Sequence, residues 1–301
     1  MKNIIVYASP KEFSDYLPFL RIEEYKANLC IVGIILNSPV SYKMINGYEC
    51  LVESDLKLLY WDYILFAGSK ETKKEFINEQ SIASHKVIDM KVLRLPAFDF
   101  EDYLNLLENK ITIISNTCWG GITYHSLGME FYSPFINMFV KDEDYITLLK
   151  DLDKKMQCEL KFEKMQFDVN IKRDYPVGNL DGVLLHFNHY VTFEKAKEAW
   201  DRRKLRMNYN NIFVEAKIEN LDMAQEFEKL DFVKKIGFSP IEFNIPSVQC
   251  VYLYQNIYVK KKMKNKFWKI ITDMSMVESE FVYYDVISLL NGKEKIWRYE
   301  I

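Results

Sequence analysis

The chain has 301 residues, 49% apolar and 28% charged, which is enough for two domains with real cores. Its formal net charge of −3 provides no bulk cationic surface for nucleic acid, so none is expected as a partner. The longest apolar run, Cys30 to Leu36, falls well short of the roughly 20 residues a membrane helix needs, so no membrane span is expected.

The N-terminal stretch MKNIIVYASPKEF has too short an apolar run for a signal peptide. The five cysteines (Cys30, Cys50, Cys118, Cys158 and Cys250) are odd in number, far apart and form no CxxC pair. They fit a reducing cytoplasm better than a disulfide framework.

In chain order, NIIVYAS predicts a buried strand and PKEFSDYLPFL a helix. LCIVGIILN, the short YECL and DYILFAG predict further strands, KETKKEFINEQ a helix, HKVIDM a strand and FDFEDYLNLLENK a helix. This alternation implies βαβ units and a parallel sheet covered on both faces. The expected architecture is α/β: an N-terminal, glycine-poor, Rossmann-like parallel sheet over residues 1–109, then a second, less regular α/β domain over residues 110–301.

The first strand-to-helix turn argues against a dinucleotide. NAD binding there needs G-x-G-x-x-G, so that backbone can approach pyrophosphate. The chain has Ala8, Ser9, Pro10, Lys11 and Glu12, where Ser9 predicts an N-cap, Pro10 the first helical position and Glu12 the carboxylate of a capping box. NAD is therefore disfavoured, and no other cofactor is specified. The second such turn, Gly68-Ser69-Lys70, reads as an N-cap after a tight turn or as a more open, ligand-facing loop.

The second domain opens with KITIIS, a strand without alternation, as expected for burial on both faces. EDYITLLKDLDKKM predicts an amphipathic helix with Tyr145, Leu148, Leu149 and Leu152 on one stripe. CELKFE, GVLLHFNHY and NIFVEAKIE predict strands, and FEKAKEAWDRRKLRM and DMAQEFEKL helices; QCVYLYQ and FWKIITDM follow. Asp142-Glu143-Asp144 matches the D-x-D of metal-dependent glycosyltransferases, but it also opens the amphipathic helix, where acids cap and suit the dipole.

Two stretches gather chemistry. The first, ISNTCWGGITYHSLG, follows the KITIIS strand, and ligands in open α/β sheets bind beyond the carboxyl ends of strands. Asn116 and Thr117 are candidate caps, and Gly120-Gly121 lets backbone come close to a ligand. Cys118 has three readings: a nucleophile activated by a helix N-terminus and an imidazole, a metal ligand, or a small buried hydrophobe, the commonest state of a free cysteine. Ser115 is a candidate nucleophile or a hydrogen-bonded turn residue.

The second stretch runs from Tyr175 to Val214. On a regular strand His186 and His189 point to opposite faces, so zinc held by Cys118, His125, His186 and His189 is poorly supported and no metal is expected. Asp181 orients His186 or makes the turn before its strand, and His186 itself reads equally as a satisfied core histidine. Thr192 predicts an N-cap, and Phe193, Ala196 and Trp200 a packing stripe. Glu198 and Arg202 form an i,i+4 pair. The cluster Arg202, Arg203, Lys204 and Arg206 is either a solvated helix end or a site for phosphate or carboxylate.

Together, ISNTCWGGITYHSLGMEFYSPFINMFV and YPVGNLDGVLLHFNHYVTFEKAKEAWDRRKLRMNYNNIFV resemble a bacterial family labelled exopolysaccharide biosynthesis proteins, whose members occur among genes for capsule or other surface glycans. Its pattern is S-N-x-C-W-G-G, L-G, S-P-F, Y-P-V-G, an acid, I-H-F-x-H-Y, W-x-R-R and N-L-F-V, over residues 110–240 here. The resemblance points to Ser115, Asn116, Cys118, Trp119, Gly120, Gly121, Asp181, His186, His189, Tyr190, Trp200, Arg202 and Arg203. A second acid usual in the family is Gly182 here, which weakens any paired-carboxylate chemistry.

The leading expectation is an enzyme that transfers a group, such as an acyl group, to a surface glycan. Cys118 or Ser115 is then the nucleophile, His186 or His189 the base and Asp181 its orienter. Arg202 and Arg203 hold an anionic donor, Asn116 and the Gly120-Gly121 backbone bind substrate, and Trp119 and Tyr190 stack on a sugar. The alternatives are a non-catalytic module that binds a sugar or nucleotide-sugar beside glycan-assembly proteins, and a structural or interaction protein whose second domain is only packed.

Overall fold

The computed structural model describes residues 1–38, 42–95, 97–169, 172–251 and 284–293. The FWKIITDM segment and the end of QCVYLYQ lie outside the described residues. The chain is a mixed α/β protein that divides into two compact units, Met1–Leu104 and Asn105–Ile301. Among the described residues no helix is long and apolar enough to cross a membrane.

The first unit contains β1 (Lys2–Ala8), α1 (Pro10–Tyr25), β2 (Leu29–Leu36), β3 (Met44–Ile45), β4 (Tyr48–Leu51), β5 (Tyr63–Phe66), α2 (Lys70–Gln80) and β6 (Val87–Asp89). Helix α3 (Phe100–Asn109) spans the division. The sheet order is β3-β4-β2-β1-β5-β6. Every pairing is parallel except β3 with β4. Central β1 places Ile4, Ile5 and Val6 out of solvent, as its continuous β-branched run requires.

Ser9 and Glu12 form the capping box on α1: the Glu12 amide donates to Ser9 Oγ at 3.2 Å and the Ser9 amide to Glu12 Oε2 at 2.9 Å. Ser69 caps α2 by accepting from the Thr72 amide at 3.1 Å.

The second unit contains β7 (Thr112–Ser115), α4 (Trp119–Ser126), β8 (Phe139–Val140), α5 (Asp142–Lys150), α6 (Leu152–Gln157), β9 (Lys161–Asp168), β10 (Arg173–Leu180), β11 (Val183–His186), α7 (Phe193–Lys204), β12 (Ile212–Lys217), α8 (Leu221–Glu228), β13 (Lys234–Ser239), β14 (Val248–Cys250) and α9 (Val286–Leu290). It has a parallel sheet ordered β14-β13-β12-β7 and an antiparallel sheet ordered β8-β11-β10-β9. One apolar core joins them, built from Ile114, Tyr145, Leu148, Leu149, Leu185, Phe187, Trp200, Val214 and Ala216 among others. Trp200 is edge-on to Phe135 and Phe187, the packing role its stripe predicts.

Two local expectations change, and one strand is added. The N-cap of α5 is Lys141, and Asp142, Glu143 and Asp144 fill the first turn, where acids oppose the helix dipole favourably. YPVGNL is a strand, β10, because it pairs with both β9 and β11. The histidine strand stops at His186, so HFNHY turns away instead of continuing the ladder.

Between β10 and β11, Leu180 pairs with Val183 across Asp181 and Gly182. Both turn residues have positive φ, 51° and 88°, the backbone of a two-residue hairpin turn that an Asp-Gly pair favours. A Cβ added at Gly182 meets nothing within 4 Å, so only backbone strain opposes substitution. Gly182→Ala is expected to destabilise the fold by roughly 1 kcal/mol, the order of the left-handed penalty for a residue with Cβ, as read by urea unfolding.

Candidate functional site

The site sits at the carboxyl edge of the parallel sheet in the second unit. β7 and β12 run side by side, with Ile114 opposite Val214 and Ser115 opposite Glu215. The Tyr145 hydroxyl bridges the two strands, 3.1 Å from the Ile114 carbonyl and 2.7 Å from that of Glu215. Beyond the ladder, Asn116 continues the pairing with its side chain. Its Oδ1 accepts from the Lys217 amide at 2.9 Å and its Nδ2 donates to the Lys217 carbonyl at 3.2 Å. Asn116 is therefore a strand clamp, and the N-cap position of α4 falls on Cys118 instead.

Cys118 occupies the N-cap position of α4 and makes no side-chain cap bond. Its Sγ lies 3.5 Å from His189 Nε2, so the two chemistry-rich segments, 71 residues apart, meet at this pair. Cys118 is half-buried and His189 exposed. Burial pushes the Cys118 thiol up. Burial, then the Arg173 charge, pushes His189 down. Both shifts favour a thiol beside a neutral imidazole over a thiolate–imidazolium pair, contrary to the expectation of a thiol activated in the resting state. With Nε2 unprotonated, the ring is able to receive the thiol proton.

His186 is not part of this contact. It is 1% exposed, stacked on Phe139 with ring centroids 4.5 Å apart, with Nδ1 3.1 Å from the Tyr175 hydroxyl. Burial first, and Lys141 and Lys164 next, push its pKa down to about 4. Asp181 does not orient it: Asp181 lies in the hairpin turn and pairs with Lys155 at 2.8 Å. Among the described residues no cluster of three or more His, Cys, Asp or Glu is placed to hold a metal ion.

Other predicted binding residues have structural duties. Trp119 is buried, stacked on Phe213 with centroids 5.9 Å apart, and donates Nε1–H to the Tyr284 hydroxyl at 2.8 Å, so it is a core anchor with no face for a sugar. Gly120 and Gly121 lack Cβ for packing: an added Cβ would meet Ile113 Cγ2 at 3.2 Å and Ile136 Cγ2 at 3.3 Å respectively. Arg203 is buried, donates to the Tyr190 hydroxyl at 2.8 Å and the Ile136 carbonyl at 3.4 Å, and lies over the Phe131 ring. Arg203 and Tyr190 thus fix each other behind the turn. Arg202 is exposed and reaches Glu198 at 3.8 Å, the i,i+4 pair expected from spacing.

Ser115 is buried and its Oγ shares a 2.6 Å hydrogen bond with Glu215 Oε2. Glu215 is wholly buried, and its Oε1 has no hydrogen-bond partner among the described residues. Burial, only partly opposed by the Ser115 hydrogen bond, raises its pKa from 4.5 to about 8. This carboxyl is the main feature sequence reading missed. The available signal was an acid inside the apolar run IFVEA of a strand buried on both faces. Arg173 was also missed; it donates to the Asn188 carbonyl at 2.7 Å and is the cation acting on His189. A separate cavity of about 670 Å³ lies at the amino ends of β12 and β13, lined by Asp151, Lys154, Tyr209, Asn210, Asp231 and Lys234 among others, away from this edge.

The second unit is thus an α/β module with a thiol–imidazole pair at its carboxyl edge and a buried carboxyl behind it. The chain belongs to the family described as a domain of unknown function, DUF1919, whose model matches residues 89–289. A Haemophilus influenzae protein, described as uncharacterized, is 31% identical over 139 residues, which cover 44% of this chain and 64% of that relative.

Glu215 couples stability to pH. Its folded pKa lies above the unfolded value, so from pH 4.5 to about 8 the folded chain holds a proton that the unfolded chain has lost. The resulting stability is full below that window and falls as pH rises through it. Glu215→Gln is expected to flatten this fall, so that the variant gains on the parent by a few kcal/mol, on the order of 1.4 per pKa unit, from the acid to the alkaline side, as read by urea midpoints across pH.

Proposed function

We propose that this chain is an enzyme of bacterial surface-glycan assembly that transfers an acyl group to a sugar through Cys118. The 3.5 Å contact of Cys118 Sγ with His189 Nε2 carries the reading, because it places a nucleophile within reach of a base at an accessible strand end. The glycan context is supported by the likeness of the SNTCWGG and HFNHY segments to the exopolysaccharide-labelled family. A Rossmann-like character of the first unit is supported by parallel β2-β1-β5 pairing with capped helices after β1 and β5.

In this reaction Sγ attacks the donor carbonyl while His189 Nε2 takes the thiol proton. The tetrahedral intermediate expels the donor's leaving group, which is protonated at the Cys118 turn by a group other than His189, and leaves a thioester on Cys118, while His189 releases the thiol proton to water. A sugar hydroxyl then attacks the thioester, giving its proton to the imidazole; the carbon–sulfur bond breaks, and the imidazole passes that proton to the departing Sγ, which restores the thiol. The first turn of α4 stabilises the developing oxyanion. Because the resting pair is neutral, the base acts during attack instead of maintaining a standing thiolate. Arg173, beside His189, is the cation best placed to hold an anionic donor, in place of Arg202 and Arg203.

The test is a thermal-shift screen with nucleotide-sugars, phosphosugars and acyl-CoA, followed by intact mass. A donor is expected to leave an acyl adduct on the parent and none on Cys118→Ala, with transfer slowed about 10²–10⁴-fold in His189→Ala. Ligand stabilisation without an adduct would instead establish a sugar- or nucleotide-sugar-binding module.

A further inference from the structure

Behind the Cys118 turn, three oxygens form a line. Glu215 Oε2 lies 2.6 Å from Ser115 Oγ, and Ser115 Oγ lies 3.3 Å from Thr117 Oγ1. Backbone amides hold the two hydroxyls in place: Thr117 N–H donates to Ser115 Oγ at 3.2 Å, and Trp119 N–H to Thr117 Oγ1 at 3.3 Å. The line starts at a fully buried carboxyl whose other oxygen is unpartnered among the described residues and ends at a half-buried hydroxyl adjoining Cys118. A structural serine needs no such outlet, and a carboxyl placed only for packing is costly to bury.

We propose that Glu215 is a proton reservoir for the Cys118 site, connected to it through the hydroxyls of Ser115 and Thr117. This rests on the reading that the Cys118 turn is where the group is transferred. The departing oxygen or sulfur of the donor draws the Thr117 proton. Thr117 Oγ1 takes the Ser115 proton, and Ser115 Oγ takes the proton from Glu215 Oε2. One proton leaves the chain, Glu215 becomes a carboxylate, and Ser115 then donates to it. Reversal of the same transfers, fed by the proton that His189 releases to water in each cycle, restores the carboxyl.

The surroundings suit a stored proton. Tyr145 on α5 meets the Glu215 backbone, Tyr284 is the other phenol that senses its charge, and Ser115 faces it from β7. Burial is the dominant influence on its titration, and no charged side chain among the described residues contributes. Ser115 and Glu215 are therefore positioning and relay groups, and direct contact with substrate is left to Cys118, His189 and Thr117.

The test follows the C=O stretch of a protonated carboxyl by infrared spectroscopy on transfer of the whole protein into D2O. A protonated-carboxyl band is expected at neutral pH in the parent and should be missing in Glu215→Gln. Its deuteration is expected to be fast in the parent and in Thr117→Ser. It should be slower by about tenfold or more in Thr117→Val and Ser115→Ala, where exchange must wait for local opening. An unchanged thermal midpoint in Thr117→Val shows that the fold persists. Equal exchange in the parent and Thr117→Val would overturn the relay, and absence of a band lost in Glu215→Gln would overturn the reservoir. Neither readout uses Cys118, so failure of the acyl-adduct test is separable from failure of this proposal.

Discussion

The arrangement of the second unit depends on the parallel pairing of β7 with β12. That ladder sets Ser115 beside Glu215. It also lets Tyr145 bridge two adjacent carbonyls and brings Lys217 to the Asn116 side chain. Because strand side chains alternate, a slip of one residue would turn Glu215 to the other face and break the carboxyl–hydroxyl contact. Three residues beyond the strand end, the same placement delivers Cys118 to His189.

The site combines an outer and an inner part with different electrostatics. Outside, a half-buried thiol and an exposed imidazole are both shifted toward their neutral forms. Inside, a carboxyl without an ion pair among the described residues is also held toward neutrality by burial. All three are thus uncharged near pH 7, which removes the desolvation cost that ionised groups would carry there. Charge develops only when a proton moves. A resting ion pair would suit a standing nucleophile; a neutral set suits one that is activated by its substrate.

Much of the polarity concentrated in the two motif segments is used to build the platform. Trp119, Trp200, Gly120, Gly121 and Arg203 pack one element against another. Asn116 extends a ladder, and Asp181 turns a hairpin. The polar groups left half-buried or exposed around the Cys118 turn are Thr117, Cys118, His189 and the neighbouring Arg173.

The sequence by itself determined the features whose causes lie within a few residues. Alternating apolar and amphipathic runs specify α/β layering, Ser9, Ser69 and Thr192 specify caps, and the i,i+4 spacing specifies the Glu198–Arg202 pair. It also marked the segments that meet. Only the tertiary structure decided which of their residues touch. His189, not His186, faces Cys118 because the strand ends at His186 and the chain turns. Glu215 joins Ser115 across 100 residues. Caps and periodicity are local consequences of backbone geometry, whereas these contacts follow from strand register and core packing, which depend on the whole unit at once.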